Sequence, residues 1–231
     1  MDSREITFRF KQFALTDRRC GMKIGTDAVL AGVLSTLCRD DGAVADIGAG
    51  CGIIALMLAQ RYPLARIDAV EIDHGAASDL RENVEFSPWK DRVRCVEDDF
   101  SSLDGAYDLI VSNPPYYNNG DVAPDLSRAT ARHAGSLSPG SLVSFAVTHL
   151  NPGGRLAMIV PTESVSDIES RAVFGRLSLA RRTDISTSPR RGITRSFLEF
   201  SNDLSVTPCV GGLVAGSEEY RRLTHDFYLK Y

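Results

Sequence analysis

The string Asn113-Pro114-Pro115-Tyr116 combines residue types suited to one kind of chemistry, the alkylation of a delocalised amino nitrogen. An adenine N6 shares its lone pair with the ring and is a poor nucleophile. Two acceptors aimed at its hydrogens can draw the nitrogen toward tetrahedral geometry. The Asn113 side chain offers one carbonyl and the Pro114 backbone a second. The prolines stiffen the loop, so both acceptors are held in place before the acceptor group arrives. Tyr116 supplies a flat face for a base to stack on. Such a site works by alignment and charge stabilisation, needs no strong general base, and shows none. A proline turn with an exposed tyrosine is the plain alternative.

A second cluster is Asp46-Ile47-Gly48-Ala49-Gly50-Cys51-Gly52. Glycines let a backbone turn tightly and approach a ligand. Gly50, Gly52 and Ala55 also satisfy the spacing of a dinucleotide fingerprint, which stays open as an alternative. Asp46 argues the other way, because a carboxylate there would face a pyrophosphate. It suits a cofactor carrying an ammonium and a sulfonium, which describes S-adenosylmethionine. Glu71 follows in Val70-Glu71-Ile72-Asp73, where a carboxylate can accept from both ribose hydroxyls. Asp73 is the better helix cap of the two. In Asp98-Asp99-Phe100 a carboxylate can accept from the cofactor's adenine amino group while the ring packs on its base; an ordinary acidic loop is as good a reading.

The elements around these motifs alternate. Ala43–Ile47, Arg66–Ile72, Arg92–Val96, Tyr107–Ser112 and Leu156–Val160 read as short buried strands. Ile53–Arg61, Gly75–Phe86, Leu142–Leu150 and Asp167–Leu177 read as helices, and Asn151-Pro152-Gly153-Gly154 as a turn. Arg181–Ser186 and Ser196–Ser201 read as a closing antiparallel pair. Repeated β-α-β units imply a Rossmann-like α/β fold, with a mostly parallel, seven-stranded sheet and helices on both faces. Both chemical motifs then fall at carboxyl ends of strands, where open parallel sheets bind ligands. Residues 1–40 stand outside the alternation. Phe8, Phe10 and Phe13 look strand-like, and Thr26–Leu37 looks like a helix capped by Thr26 or Asp27. They are expected to form an extension packed on a core of residues 41–231, within one structural domain.

Composition narrows the class. The 231 residues are 43% hydrophobic and 24% charged, so an ordinary globular core is affordable without staples. The apolar run Gly52–Ala59 is too short to cross a bilayer, and the first residues carry no secretory pattern. The five cysteines are odd in number and lack CxxC spacing, and the four histidines are scattered. Free thiols in a reducing cytoplasm are expected, with no metal and no membrane partner. The net charge of −4 hides an asymmetry: residues 41–110 carry six Lys/Arg against fourteen Asp/Glu, and residues 171–195 carry seven Arg against one acid. The arginines are either a solvated face or a phosphate-binding one.

The pairing of the glycine turn with Asn-Pro-Pro-Tyr resembles the class I, S-adenosylmethionine-dependent amino-methyltransferases. Phe8–Phe13, Met22–Asp27, Ser87-Pro88-Trp89, Ser112–Tyr117 and the ending with Tyr220 and Phe227-Tyr228-Leu229 resemble the bacterial tRNA1(Val) (adenine-37-N6)-methyltransferase family. The resemblance covers nearly the whole chain. It implies that Asp46, Gly48, Gly50 and Gly52 form the cofactor turn, with Glu71 on the ribose, Asp99 near the adenine, Thr26 and Asp27 near the methionine end, and Asn113 also lining the cofactor. Asn113, Pro114 and Tyr116 would hold the target base. Gly21 and Ile24 depart mildly from that pattern, and Ser186–Thr194 follows it loosely.

A monomer acting on tRNA is the expectation. Its phosphate contacts would come from Lys11, Arg18 and Lys23, from Arg128, Arg132 and His133, and from Arg190 and Arg191, with Arg19, Arg181, Arg182 and Arg195 as further basic candidates. Stacking of Phe8, Phe10 and Phe13 on bases competes with core packing. The same motifs would also serve a protein glutamine-N5 methyltransferase, an rRNA or DNA adenine methyltransferase, or a module that only docks RNA.

Overall fold

Ala43-Val44-Ala45-Asp46-Ile47 is apolar on both faces apart from Asp46, so it needs cover on both sides. A computed structural model, which describes residues 5–115, 137–188 and 190–230, places this strand between two others inside an eight-stranded sheet. In chain order the elements are β1 (Phe8–Arg9), β2 (Ala14–Leu15), α1 (Thr26–Leu34), β3 (Ala43–Ile47), α2 (Ile53–Arg61), β4 (Arg66–Val70), α3 (His74–Glu85), β5 (Val93–Val96) and β6 (Tyr107–Ser112). They continue with α4 (Pro139–His149), β7 (Leu150–Pro161), α5 (Val165–Phe174), β8 (Ser178–Ser186), β9 (Arg195–Ser201), β10 (Cys209–Val214) and α6 (Glu218–Thr224).

The sheet order is β10-β8-β9-β7-β6-β3-β4-β5. Strands β5, β4, β3, β6 and β7 are mutually parallel, and β9 is antiparallel to both β7 and β8. The chain winds outward from β3 through β4 to β5, then crosses back to β6 on the other side of β3. That reversal opens a crevice above the carboxyl ends of β3 and β6.

Side chains alternate between two buried layers. Val44, Ile67, Leu109, Val111 and Ile159 pack with α1, α2 and α3. Ala45, Ile47, Ile110, Met158 and Val160 pack with α4 and α5. Each fully buried Leu or Ile contributes about 1.5–3 kcal/mol to the stability of the sheet that carries the crevice.

The first residues climb the α1–α2–α3 face. Phe10 pairs with Tyr228 and Phe13 meets the Trp89 ring edge-on, so these aromatics are core, not a base-stacking surface. Farther on, two buried polar residues of α3, four apart, hold the segment. Asn83 exchanges hydrogen bonds with both the N–H and the carbonyl of Thr16 and donates to the Cys51 carbonyl. Asp79 accepts from the Arg19 and Cys20 backbone N–H groups and from Arg19 Nε. The extension thereby reaches the carboxyl edge of the sheet.

Three expectations are corrected. The sheet has eight strands, not seven: β10 pairs parallel with β8, and its exposed Val210-Gly211-Gly212 lacks the apolar run that marks a strand. Helix α1 ends at Leu34, and its N-cap is Gly25, with no cap from Thr26 or Asp27. The Asn151–Gly154 turn lies inside β7, whose pairing with β6 jumps from Leu150 to Arg155.

Candidate active site

Helix α2 starts directly after the glycine turn, and a buried carboxylate closes that junction. Asp46 is fully buried at the end of β3, and its Oδ2 accepts from the Ala55 N–H at 2.9 Å. Its Oδ1 has no hydrogen-bond partner among the described residues. Burial pushes its carboxyl up to about 7; the Ala55 N–H opposes this, and the Glu71 charge adds to it.

Gly48, Gly50 and Gly52 all take positive φ, at +70°, +56° and +86°. At Gly52 a Cβ would lie 2.5 Å from Leu80, and at Gly48 it would lie 2.6 Å from Leu137. The positive φ at these positions favours glycine, and a side chain there would also have to displace the end of a leucine. Gly50 faces open space.

Glu71 reaches back from β4 to the same turn. Its Oε2 accepts from the Gly50 N–H at 2.8 Å and its Oε1 from the Asp73 N–H at 2.9 Å. Burial raises its carboxyl above the ordinary value, while these N–H groups pull it down. Asp73 caps α3 through the Ala76 N–H, as its position suggested. After β5, Asp98 accepts from the Asp99 N–H and Asp99 from the Ser101 N–H. Phe100 does not join them. Its ring is buried edge-on against Phe145 with centroids 5.4 Å apart, inside the α4–α5 layer. The ring expected on the cofactor's base thus has one edge anchored in that layer.

At the neighbouring strand end, Ser112 Oγ donates to the Ile47 carbonyl at 2.7 Å and ties β6 to β3. Asn113 follows directly, with Nδ2 3.9 Å from the sulfur of Met22. Pro114 is buried beside it. Tyr116 lies outside the described residues. Thr26 is exposed at the start of α1, and Asp27 pairs with Arg195 of β9 at 3.0 Å. The crevice thus places acids on the β3–β5 side and the amide of Asn113 on the β6 side.

A family model for the methyltransferase small domain matches residues 21–184. The tRNA1(Val) (adenine(37)-N6)-methyltransferase of Aeromonas hydrophila is 39% identical over 96% of this chain and 97% of its own. The protein of the same name from Tolumonas auensis is 41% identical over 78% of this chain and 77% of its own. The chain belongs to this methyltransferase family. Among solved structures, a predicted O-methyltransferase from Agrobacterium tumefaciens matches with a TM-score of 0.66 at 20% identity, over 87% of this chain and 96% of that one. That likeness is one of fold, and it fits the class I methyltransferase architecture.

The residues fit the methyl donor that class I methyltransferases use. The unpaired Asp46 Oδ1 can accept from an ammonium. Each Glu71 oxygen that already accepts one N–H keeps a second lone pair for a ribose hydroxyl. The open side of Gly50 leaves room for close approach.

The basic candidates for a tRNA partner in this family divide by location. Arg190 and Arg191 are exposed on the β8–β9 loop at the carboxyl edge. Arg18 and Lys23 lie on the extension loop that reaches that edge. Arg18 pairs at 3.5 Å with Glu5, and Lys23 Nζ donates to the Asp17 carbonyl. Lys11 lies elsewhere. Its Nζ donates to the His225 carbonyl beside Gln60, in the last turn of α2, at the opposite edge of the sheet. Other arginines of the basic stretch serve the fold: Arg181 donates to the Leu34 carbonyl, Arg182 pairs with Asp184, and Arg195 with Asp27. Arg128, Arg132 and His133 lie outside the described residues.

Met22, Leu137, Asp79 and Asn83 were missed by sequence reasoning. Asp79 and Asn83 had a signal, being polar residues at apolar-face positions of α3 beside Ala76 and Leu80. Met22 stood only as the first residue of the Met22–Asp27 resemblance, and Leu137 had no signal, since the contacts of both depend on position in the fold.

Proposed function

We propose that this protein transfers a methyl group from S-adenosylmethionine to N6 of adenine 37 in tRNA1(Val). The observation that carries this reading is the meeting of the Asp46–Gly52 turn and the Asn113-Pro114 segment at adjacent strand ends, in a chain whose family members carry that name. Asp46 would hold the cofactor's ammonium, Glu71 its ribose, and Asp98 or Asp99 its adenine. Bound there, the cofactor supplies an electrophilic methyl carbon on a sulfonium centre.

The chain's own groups then act on the acceptor. Asn113 Oδ1 and the Pro114 carbonyl accept the two hydrogens of N6 and localise its lone pair. Tyr116 supplies a stacking face for the extruded base. After transfer the amino nitrogen is acidic enough to lose its extra proton to water, so no buried base is required. Arg18, Lys23, Arg190 and Arg191 would meet backbone phosphates, while Thr26 and Asp27 shape the end of the pocket near α1. We place the enzyme in the cytoplasm as a monomer; its five unpaired cysteines suit a reducing compartment. No helix among the described residues is long and apolar enough to cross a membrane, and no metal-ligand cluster occurs among them.

The test is incubation with labelled S-adenosylmethionine and tRNA from a strain lacking this protein, followed by nucleoside mass spectrometry. N6-methyladenosine mapped to position 37 of tRNA1(Val) is the expected product. Label in a release-factor glutamine instead would replace the RNA reading with the glutamine one.

A further inference from the structure

We infer that Met22 is a positioning residue for the methyl-transfer site, its thioether setting which way the Asn113 amide faces. The inference rests on the role proposed above for Asn113.

The loop that carries Met22 is held at both ends. Asp79 grips the Arg19 and Cys20 N–H groups. The largely buried Asp17 accepts from the Ile24 N–H at 3.1 Å, and Lys23 Nζ closes onto the Asp17 carbonyl. Between these anchors, Met22 projects over the crevice with 51% of its surface exposed and its sulfur 3.9 Å from Asn113 Nδ2. An exposed thioether on an otherwise bonded loop has no packing reason to be there.

The two ends of the Asn113 amide are alike in shape and opposite in chemistry. A thioether has lone pairs and no hydrogen to give, so it can meet only the NH2 end. With Nδ2 toward Met22, Oδ1 turns away from it as an acceptor. The flipped amide would set its carbonyl against the sulfur lone pairs and present an NH2 to the NH2 of adenine, donor against donor. Met22 thus biases Asn113 toward the one orientation in which its carbonyl can receive the acceptor's hydrogen. The contact is weak, so the bias should act on turnover and leave binding nearly unchanged.

The experiment compares Met22→Leu, Met22→Gln and Asn113→Ala with the wild-type enzyme. Leucine keeps the bulk and loses the acceptor; glutamine returns an acceptor at similar reach. Met22→Leu should lower kcat about three- to tenfold, as loss of one weak hydrogen bond in the transition state would, with cofactor Kd and tRNA KM within about twofold of wild type. Met22→Gln should recover most of that loss. A packing role predicts the reverse ranking, with leucine at least as good as glutamine, and that result would overturn the inference, as would wild-type kcat in Met22→Leu. Asn113→Ala separates the two layers. An inactive Asn113→Ala beside a fully active Met22→Leu removes only the role of Met22, whereas an active Asn113→Ala removes the reading of Asn113 and this inference with it.

Discussion

The two sides of the crevice are built differently. On the β3–β5 side, each acid named for the cofactor has at least one oxygen engaged by the backbone around it. Glu71 holds the Gly50 and Asp73 N–H groups, Asp46 holds Ala55, and Asp99 holds Ser101. On the β6 side, the groups come from three distant stretches of chain: Met22 on the extension, Asn113 after β6, and Arg190 and Arg191 on the β8–β9 loop. The first side is one supersecondary unit and is preorganised by local hydrogen bonds. The second depends on long-range packing, chiefly on Asp79 and Asn83 of α3 delivering the extension to the edge. A cofactor common to many enzymes is met by local structure, and a particular acceptor by tertiary assembly.

The sharpest break between the sides is Asn113→Ala. Loss of a preorganised acceptor should lower kcat by about 10²–10³-fold, as for other single polar groups at reacting centres, while calorimetry still shows cofactor binding. Near-normal turnover would remove Asn113 from the chemistry.

Asn83→Ala attacks the link between the sides. It would leave the buried Thr16 N–H, Thr16 carbonyl and Cys51 carbonyl without their partner. A loss of about 2–4 kcal/mol in denaturant-measured stability is expected, with activity falling through the displaced extension. A stability change near zero would mean that the extension is held by its aromatics alone.

Changing pH tests the cofactor side by itself. The Asp46 carboxyl is raised from 3.8 to about 7 by burial. Between those values the folded, cofactor-free protein keeps a proton that the unfolded chain has released. This group's contribution to stability is therefore greatest at low pH, falls as pH rises through that window, and is level above about 7. A cofactor ammonium favours the charged carboxylate, so binding expels the proton. Affinity should climb with pH up to about 7 and then plateau, losing up to about tenfold per unit on the acid side, and Asp46→Asn should flatten the profile. A flat wild-type profile would mean that Asp46 does not meet the ammonium.

The smallest effect belongs to the β8–β9 loop. Arg190→Ala and Arg191→Ala should each weaken tRNA binding a few-fold and reduce the slope of log affinity against log salt by about 0.7–0.9, the amount for one phosphate contact. An unchanged slope would return both arginines to the solvated face.

Much of this division was legible in the chain itself. The strand ranges Ala43–Ile47 and Tyr107–Ser112 and the helix Ile53–Arg61 coincide with the structure, because strands buried on both faces are mostly apolar, broken here only by Asp46, Asp108 and Ser112, and the glycines mark the turn after Ile47. Asp46, Gly48, Gly50, Gly52 and Glu71 converge for the same local reason. Strand β10 was hidden because an exposed edge strand containing Gly211 and Gly212 has no periodic apolar signal. The packing of Phe100 was not legible, because a side chain after a strand can turn to the crevice or to the core, and its partner Phe145 lies in a helix far along the chain.

The arginine-rich stretch carries the same lesson. Composition showed its charge but could not sort it, since Arg181, Arg182 and Arg195 find their partners at Leu34, Asp184 and Asp27 while Arg190 and Arg191 remain exposed. Local backbone chemistry is written in neighbouring residues, so the turn, the strands and the cofactor acids could be read from them. The meeting of Met22 with Asn113, and the placing of Lys11 at the far edge, are contacts between segments distant in sequence, and only the packed sheet and its covering helices decide which distant segments meet.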